Sequence, residues 1–459
     1  MTTGDFDLYY GDTPVSALDQ NQRTWYHPIV DTLFRTQSVY TGLVRFYQNL
    51  GSVNAKTMII NQILDVHADF DPLGLRDIWM PASHLDSRQL SITFSRYGGK
   101  VAYHEYDDII TFWKQNQAAG MAGILQGQLG NHMVSVHDLL TRNAFLALPF
   151  TQIVGGGSDF SDVGTGDVMT LDIADEMWLG FGYREVPMAI NPMLPQANAG
   201  QLLCVTTPGV VYDLRQGTTE NSDWLPIIKY ARPELAFRYE VGSLRGTRYI
   251  QTPRATLWNC GTVDGQYTIT VAVSAGDGSP DPETTQVDST YNVGQKAATH
   301  SITVDSSLDS DESLAVGDIV TIHIDRTSSD GITDGVDYRD GKLHNRRVVA
   351  ITYGAGSSAI SLDKPIMVDM ATDLGSGVYG YVTKGRHIHS STFIAGPDAV
   401  VGGVGRPPVF KAPAPVDDFE QVFRFSWNGY EGFNTYRPEV AEVVFSAGTI
   451  KVVGSPVVQ

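Results

Sequence analysis

The sequence predicts an α+β protein with an all-β module inserted in its second half, and three observations predict it. A proline-free stretch from Asp108 to Ala147 places apolar residues at helical spacing. Residues 262–377 lack helical periodicity and alternate short apolar runs with Asp-Gly turns. Around both, 46 glycines and 22 prolines punctuate many short strands. A chain of 459 residues is long enough for two to three domains, or for one domain with a large insertion.

Residues 1–50 carry scattered aromatics, among them Tyr9, Tyr10, Trp25, Tyr26, Phe34 and Phe46, with one helix-like stretch from Ile29 to Leu50. An arm with such anchors and so little periodicity has no core of its own, so it is expected to lie across another surface. Asn54 to Asn61 then reads as a strand, and Asp69, Pro72, Gly74 and Pro81 mark a long excursion. Leu90, Ile92 and Phe94 alternate with Ser91, Thr93 and Ser95, which is a returning strand. The result is an extended hairpin whose tip is too polar to bury a core.

The long helix follows, with Met121, Leu125, Gln128/Leu129, His132/Met133, Val136, Leu139/Leu140 and Ala144 recurring at helical spacing. Asp107 or Asp108 is its expected N-cap, and Pro149 stops it. Gly120, Gly123, Gly127 and Gly130 each cost about 1 kcal/mol against alanine, so a kink is expected there, and they let another backbone come close. Residues 151–167 read as a flexible connector. A helix over Leu171 to Gly180, a strand over Leu202 to Thr206 and a helix from Pro208 come next. A loop with Trp224, Tyr230 and Tyr239 leads to a turn into a strand within Val241 to Ile250.

At residue 262 the composition changes. Residues 262–377 hold 18 acidic and 7 basic side chains, so this segment supplies −11 of the chain's net −19. Short strands near Tyr267 to Val273, Ser301 to Val304, Asp318 to Ile324, Arg347 to Thr352 and Ala359 to Leu362 predict a small barrel or sandwich. After Gly380 the α/β character returns, with strands at Gln421 to Trp427, Thr435 to Pro438 and Ala441 to Phe445. The domain reading is 1–50, 51–92, 93–167, 168–261, 262–377 and 378–459.

Composition narrows the function. With 32 Lys and Arg against 51 Asp and Glu, nucleic-acid binding through a broad basic face is disfavoured, while containment of nucleic acid needs no attraction. No run of apolar residues is long enough to span a membrane, and the first residues lack signal-peptide character, so a soluble, non-secreted protein is expected. Charged residues are only 18%, below the usual quarter, as extensive subunit contacts would produce. Cys204 and Cys260 cannot form a disulfide framework and read as inert core residues.

Catalytic and metal signatures are weak. His387-Ile-His389 puts two imidazoles on one strand face, and His104-Glu105 neighbours acids, but neither has matching further ligands. The Asp-Gly turns lack the spaced ligands of a calcium loop. There is no phosphate-binding loop, nucleophile elbow or zinc-protease motif. No catalytic, cofactor or metal residue is assigned. Trp224, Trp258 and Trp427 would serve as sugar platforms in a glycosidase, and as core or interface anchors otherwise.

Local sequence adds a resemblance. Leu90-Ser-Ile-Thr-Phe-Ser-Arg-Tyr-Gly-Gly-Lys-Val-Ala-Tyr and the helix ending Leu139-Leu-Thr-Arg-Asn-Ala-Phe-Leu146 resemble the strand and spine helix of the capsid family typified by the coliphage N-four. Thr207-Pro-Gly-Val-Val-Tyr-Asp-Leu-Arg215, Val241-Gly-Ser-Leu-Arg-Gly-Thr-Arg-Tyr-Ile250 and Phe393-Ile-Ala-Gly-Pro-Asp-Ala399 are similar to later motifs of that family, with Thr207 in place of its usual His. The order of arm, long hairpin, long helix and interrupted α/β domain resembles tailed-phage major capsid proteins of the HK97-type fold.

The resemblance implies an N-terminal arm, an extended loop (E-loop) at 51–92, a peripheral P-domain around the spine helix, an axial A-domain and the inserted all-β domain. It implies hexamers and pentamers in an icosahedral shell around double-stranded DNA, with no catalysis and no membrane. The expected partners are a scaffolding protein, a portal and a decoration protein docking on the insertion; the expected location is the virion capsid, assembled in the host cytoplasm. Intersubunit contacts are expected at Tyr9, Tyr10, Trp25, Tyr26, Phe34, Phe46, Lys56 and Trp79; no crosslinking role follows for Lys56 or Lys100. The alternative reading is a carbohydrate-active enzyme or adhesion protein with a β-sandwich accessory domain.

Overall fold

The computed structural model describes residues 38–47, 57–63, 86–104, 120–157, 160–184, 186, 202–217, 224–226, 239–255, 257–272, 296–304, 314–326, 343–354, 358–369, 379–396, 398–415 and 422–449. In chain order the first elements are β1 (Arg45–Tyr47), β2 (Thr57–Ile63), β3 (Ser87–Thr93), β4 (Ser95–His104), α1 (Gly120–Leu146), β5 (Thr151–Ile153) and α2 (Leu171–Tyr183). Next come β6 (Leu202–Thr206), α3 (Pro208–Gly217), β7 (Trp224–Pro226), β8 (Glu240–Leu244), β9 (Thr247–Gln251) and β10 (Leu257–Ala272). The last are β11 (Lys296–Val304), β12 (Ile319–Arg326), β13 (Leu343–Thr352), β14 (Ser358–Asp369), β15 (Tyr379–Ile394), β16 (Val400–Pro415), β17 (Val422–Thr435) and β18 (Ala441–Ala447).

Helix α1 lies on a four-stranded sheet of order β1-β16-β17-β4. Its stripe of Leu129, Met133 and Val136 meets Phe425 and Trp427 of β17 and Tyr97 and Val101 of β4. Residues four and three apart share one helix face, so the sequence period directs this packing. The hairpin β2–β3 pairs in register from Thr57↔Thr93 to Ile63↔Ser87. One face of its base, with Met58, Ile60 and Leu90, packs on the small cluster of Ile92, Phe94 and Val401.

The main core belongs to a second sheet containing β15, β6, β9, β8 and β7, with β18 and β5 on the other side of β15. Every residue of β6 and β18 is buried, as expected of strands covered on both faces. Strands β6 and β9 are parallel, and α3, which follows β6, buries Val210, Val211 and Leu214. Between β8 and β9 the turn residues Arg245 and Gly246 have φ of 46° and 82°, the left-handed pair that a two-residue hairpin requires. Gly246 lies under Trp178 of α2, where a Cβ would stand 2.8 Å from the indole.

The predicted β module is a closed barrel. Strands β10, β11, β14, β13, β12 and β15 pair in that order, all antiparallel, and β10 pairs with β15 to complete the ring. Closure removes the free edges that a sandwich would leave. The barrel has its own core, including Tyr267, Ile302, Val320, Ile322, Val348, Ile360 and Val382. Strands β10 and β15 are also its stem: Trp258 packs in the main core while Tyr267, on the same strand, packs in the barrel.

Two sequence expectations change in the segments next to α1. The helix-like stretch from Ile29 to Leu50 is, where described, a 3-10 turn over Tyr40–Leu43 followed by β1. The reason is capture of the Val39 and Thr41 backbone N–H groups by Asp138, which takes two donors a continuing helix would use. The connector at 151–167 is packed rather than flexible: β5 joins β18, and Phe160 and Val163 are buried, with Phe160 against Trp258 and Phe445. Helix α1 is described from Gly120 onward; the expected cap at Asp107 or Asp108 lies outside the described residues.

Candidate assembly surfaces

Residues 39–41 are held by a buried carboxylate. Asp138 Oδ1 accepts from the backbone N–H of Val39 at 2.9 Å and of Thr41 at 3.2 Å, while Arg254 Nη1 donates to Oδ2 at 3.3 Å. Arg254 also donates to Ser135 Oγ, and Arg142 donates to the Arg254 carbonyl. Burial brings the Arg142 guanidinium down to about 10, still charged at neutral pH, and pushes the Tyr40 hydroxyl upward. One side chain of α1 therefore holds residues 39–41 and the segment leading into β10.

Phe46 is held within its own chain. Its ring stacks on His137 at 5.2 Å and meets Phe433 edge-on at 5.9 Å. A Cβ on Gly402 would come within 2.6 Å of that ring, so glycine is needed beside it. His137 Nδ1 in turn lies 2.6 Å from Glu431 Oε2. Tyr9, Tyr10, Trp25, Tyr26, Phe34, Lys56 and Trp79 lie outside the described residues.

The hairpin base has two unlike faces. On β2 the exposed residues alternate with half-buried ones, which leaves Ile59 61% and Ile63 66% exposed on the outer side. Isolated exposed apolar residues are ordinary; here Ile59 and Ile63 share the outer face of one strand, with Asn61 between them. The hairpin is fixed to the body by Asn434 Nδ2 donating to the Ser91 carbonyl at 2.8 Å and by Arg88 donating to the Tyr436 carbonyl.

A cavity of about 590 Å³ opens between α1 and the four-stranded sheet, bounded by Ser38, Phe46, Met133, His137, Trp427 and Glu431. Its wall is mainly apolar. On the second body, α2 leaves Leu179 and Tyr183 exposed one turn apart, and the barrel exposes Val316, Val349 and Tyr353.

The remaining candidates are structural. His389 is buried; its Nδ1 lies 2.6 Å from Thr207 Oγ1, ahead of α3, and the backbone of Gly448 crosses its ring. Burial drives its pKa down to about 4, with the nearby His387 adding to the shift. Among the described residues no group of three or more His, Cys, Asp and Glu comes together as a metal site. Trp258 and Trp427 are buried and offer no ring face to a sugar; the side chain of Trp224 lies outside the described residues. Cys204 is buried, which pushes its thiol well above the usual range and leaves it unreactive.

Sequence reasoning missed Asp138 and the exposed stripe of Ile59 and Ile63. The stripe was readable, since Thr57 to Ile63 alternates apolar residues on both faces of a two-stranded hairpin that can bury only one.

No family model matches the chain, and no curated protein matches it. Solved structures do. The capsid of Ralstonia phage GP4 superposes with a TM-score of 0.52 at 9% identity, covering 97% of this chain and 100% of that one. The cyanophage Pam1 capsid gives 0.48 at 11% identity, covering 94% and 97%, and the cyanophage P-SCSP1u capsid 0.47 at 10%, covering 96% and 96%. On the first of these, the fold of this chain is a mixed α+β, sheet-rich fold shared from end to end with a phage capsid chain.

Proposed function

We propose that this chain is a major capsid protein of a tailed bacteriophage, building the hexamers and pentamers of an icosahedral shell around double-stranded DNA. The observation that carries the reading is the likeness to the GP4 capsid over 97% of this chain and all of that one, which leaves no large unit to be assigned another task. The sequence motifs of the N-four-like family and the HK97-type order of elements support it. In this reading β2–β3 is the base of the E-loop, α1 with β1-β16-β17-β4 is the P-domain, and the sheet through β15, β6 and β9 is the A-domain. The barrel within 262–377 is the inserted domain.

The arm and E-loop reach neighbouring subunits, and their many small contacts add through repetition around the shell. A scaffolding protein, a portal and a decoration protein on the barrel are its partners, and the virion capsid is its place. The chain performs no catalysis there. Negative-stain electron microscopy with light scattering, on the protein alone and with a candidate scaffold, tests the reading. Shells, rings or five- and six-fold capsomers are expected; a stable 50.1 kDa monomer under all conditions would overturn it.

A further inference from the structure

The four-stranded sheet carries a charge imbalance opposite to that of the chain. Strands β4, β16 and β17 contain five Lys and Arg and one acid, Glu431, whereas the whole sequence has 32 and 51. Glu431 is buried on the α1 side, where it meets His137. The other face is basic. Register places Arg406 opposite Tyr430 and Tyr430 opposite Arg96, then Lys411 opposite Ser426 and Ser426 opposite Lys100. Directly paired residues share a face, and the intervening Trp427 and Phe425 point to α1, so these four cations point away from it.

All four are exposed. Strand spacing sets about 10 Å between Arg406 and Arg96, and strand rise about 13 Å between Arg96 and Lys100. Gly98 sits between the two β4 cations and keeps the relief low. Among the described residues no carboxylate pairs with Arg96, Arg406 or Lys411.

We propose that this face of β4, β17 and β16 binds the phosphate backbone of double-stranded nucleic acid without reading its sequence. A duplex carries one charge per about 1.7 Å of axis, so a patch of this size, carried by Arg96, Arg406 and Lys411, meets several phosphates at once. The β2–β3 hairpin stands at one end of this face, with Phe94 over Gly403 and Gly405 and Tyr430 in its cluster, and the cations lie beside it as exposed side chains on the strands, placed to meet phosphates rather than base edges. An acidic surface of a second copy is the competing occupant. Two of the barrel's acids are already engaged, Asp318 with Lys384 and Asp363 with the Arg347 backbone, and the assembly readout of the test below decides between the two occupants. The proposal deepens the shell reading and rests on it for the presence of the nucleic acid.

The test is fluorescence anisotropy of a labelled random-sequence duplex of about 30 base pairs with unassembled full-length protein, through a salt titration. Wild type is expected to bind with little sequence preference and with affinity falling linearly in log salt. Substituting Arg96→Gln, Arg406→Gln and Lys411→Gln together should weaken binding at least about tenfold and lower the salt slope by about one per cation removed. Arg96→Lys with Arg406→Lys should keep both affinity and slope, which separates charge from misfolding. No binding by wild type, or an unchanged slope in the triple Gln variant, overturns the proposal. So does a triple variant that keeps duplex affinity but no longer forms shells, since the face is then a contact between copies. Electron microscopy of the same preparations separates the two readings: shells without duplex binding sink only this proposal, and duplex binding without shells sinks only the shell.

Discussion

Asp138 holds the backbone of Val39 at 2.9 Å, across 99 residues of sequence, with both residues buried. The same carboxylate takes Thr41 N–H on one oxygen and Arg254 on the other. Residues 39–41, helix α1 and the segment leading into β10 are thereby tied at a single side chain.

Asp138→Ala should cost about 3–5 kcal/mol, because it strands the mostly buried Arg254 and two backbone donors. Asp138→Asn keeps an acceptor but loses the charge and should cost about half as much. Denaturant unfolding measures both. Limited proteolysis should show new cleavage around residues 38–44 in the Ala variant; an unchanged pattern would mean the arm root is held by Tyr40 packing on Phe145 alone.

Glu240 and Arg248 form a buried two-pronged pair across β8 and β9, with Nε 2.7 Å from Oε1 and Nη2 on Oε2. Glu240→Gln or Arg248→Met alone should destabilise by about 3–5 kcal/mol, since each leaves a buried group without its counter-charge. Replacing both, as Glu240→Leu with Arg248→Met, should recover most of that loss. A double variant as unstable as the sum of the singles would show that the pair does more than satisfy itself.

His389 makes stability depend on acid. Its folded pKa of about 4 lies below the ordinary value of 6.5, so between those values the unfolded chain binds the proton more readily than the folded one. Its contribution to stability is present above pH 6.5, falls as the pH drops toward 4, and reaches a loss of about 3 kcal/mol at most. Unfolding midpoints measured from pH 7 to 4 should decline, and His389→Asn should flatten the decline. An equal slope in that variant would assign the acid sensitivity to other groups.

Much of the fold was legible because its signals are local. The stripe from Leu129 to Val136 names the face of α1 that meets Phe425 and Trp427, and Leu90, Ile92 and Phe94 name the returning strand of the hairpin. What escaped depends on pairing between distant segments. Barrel closure needs Tyr267 opposite Val382, and the basic face exists only because Tyr430 brings Arg96 beside Arg406. Composition concealed it too, since a net charge of −19 averages away a small patch of the other sign.

The outer stripe of the hairpin should matter to assembly and not to the folded chain. Ile59 and Ile63 point away from the cluster that Met58 and Ile60 bury, so Ile59→Asp with Ile63→Asp removes little intramolecular packing. Surface changes of this kind usually shift stability by about 0.5 kcal/mol or less. At an interface, however, each carboxylate would be buried against apolar surface without a partner, a cost of several kcal/mol multiplied around a ring. Thermal unfolding should therefore match wild type within error, while light scattering shows capsomers or shells reduced at equal concentration. If assembly is unchanged, the hairpin does not carry a subunit contact, and the interface must be sought on α2 around Leu179 and Tyr183.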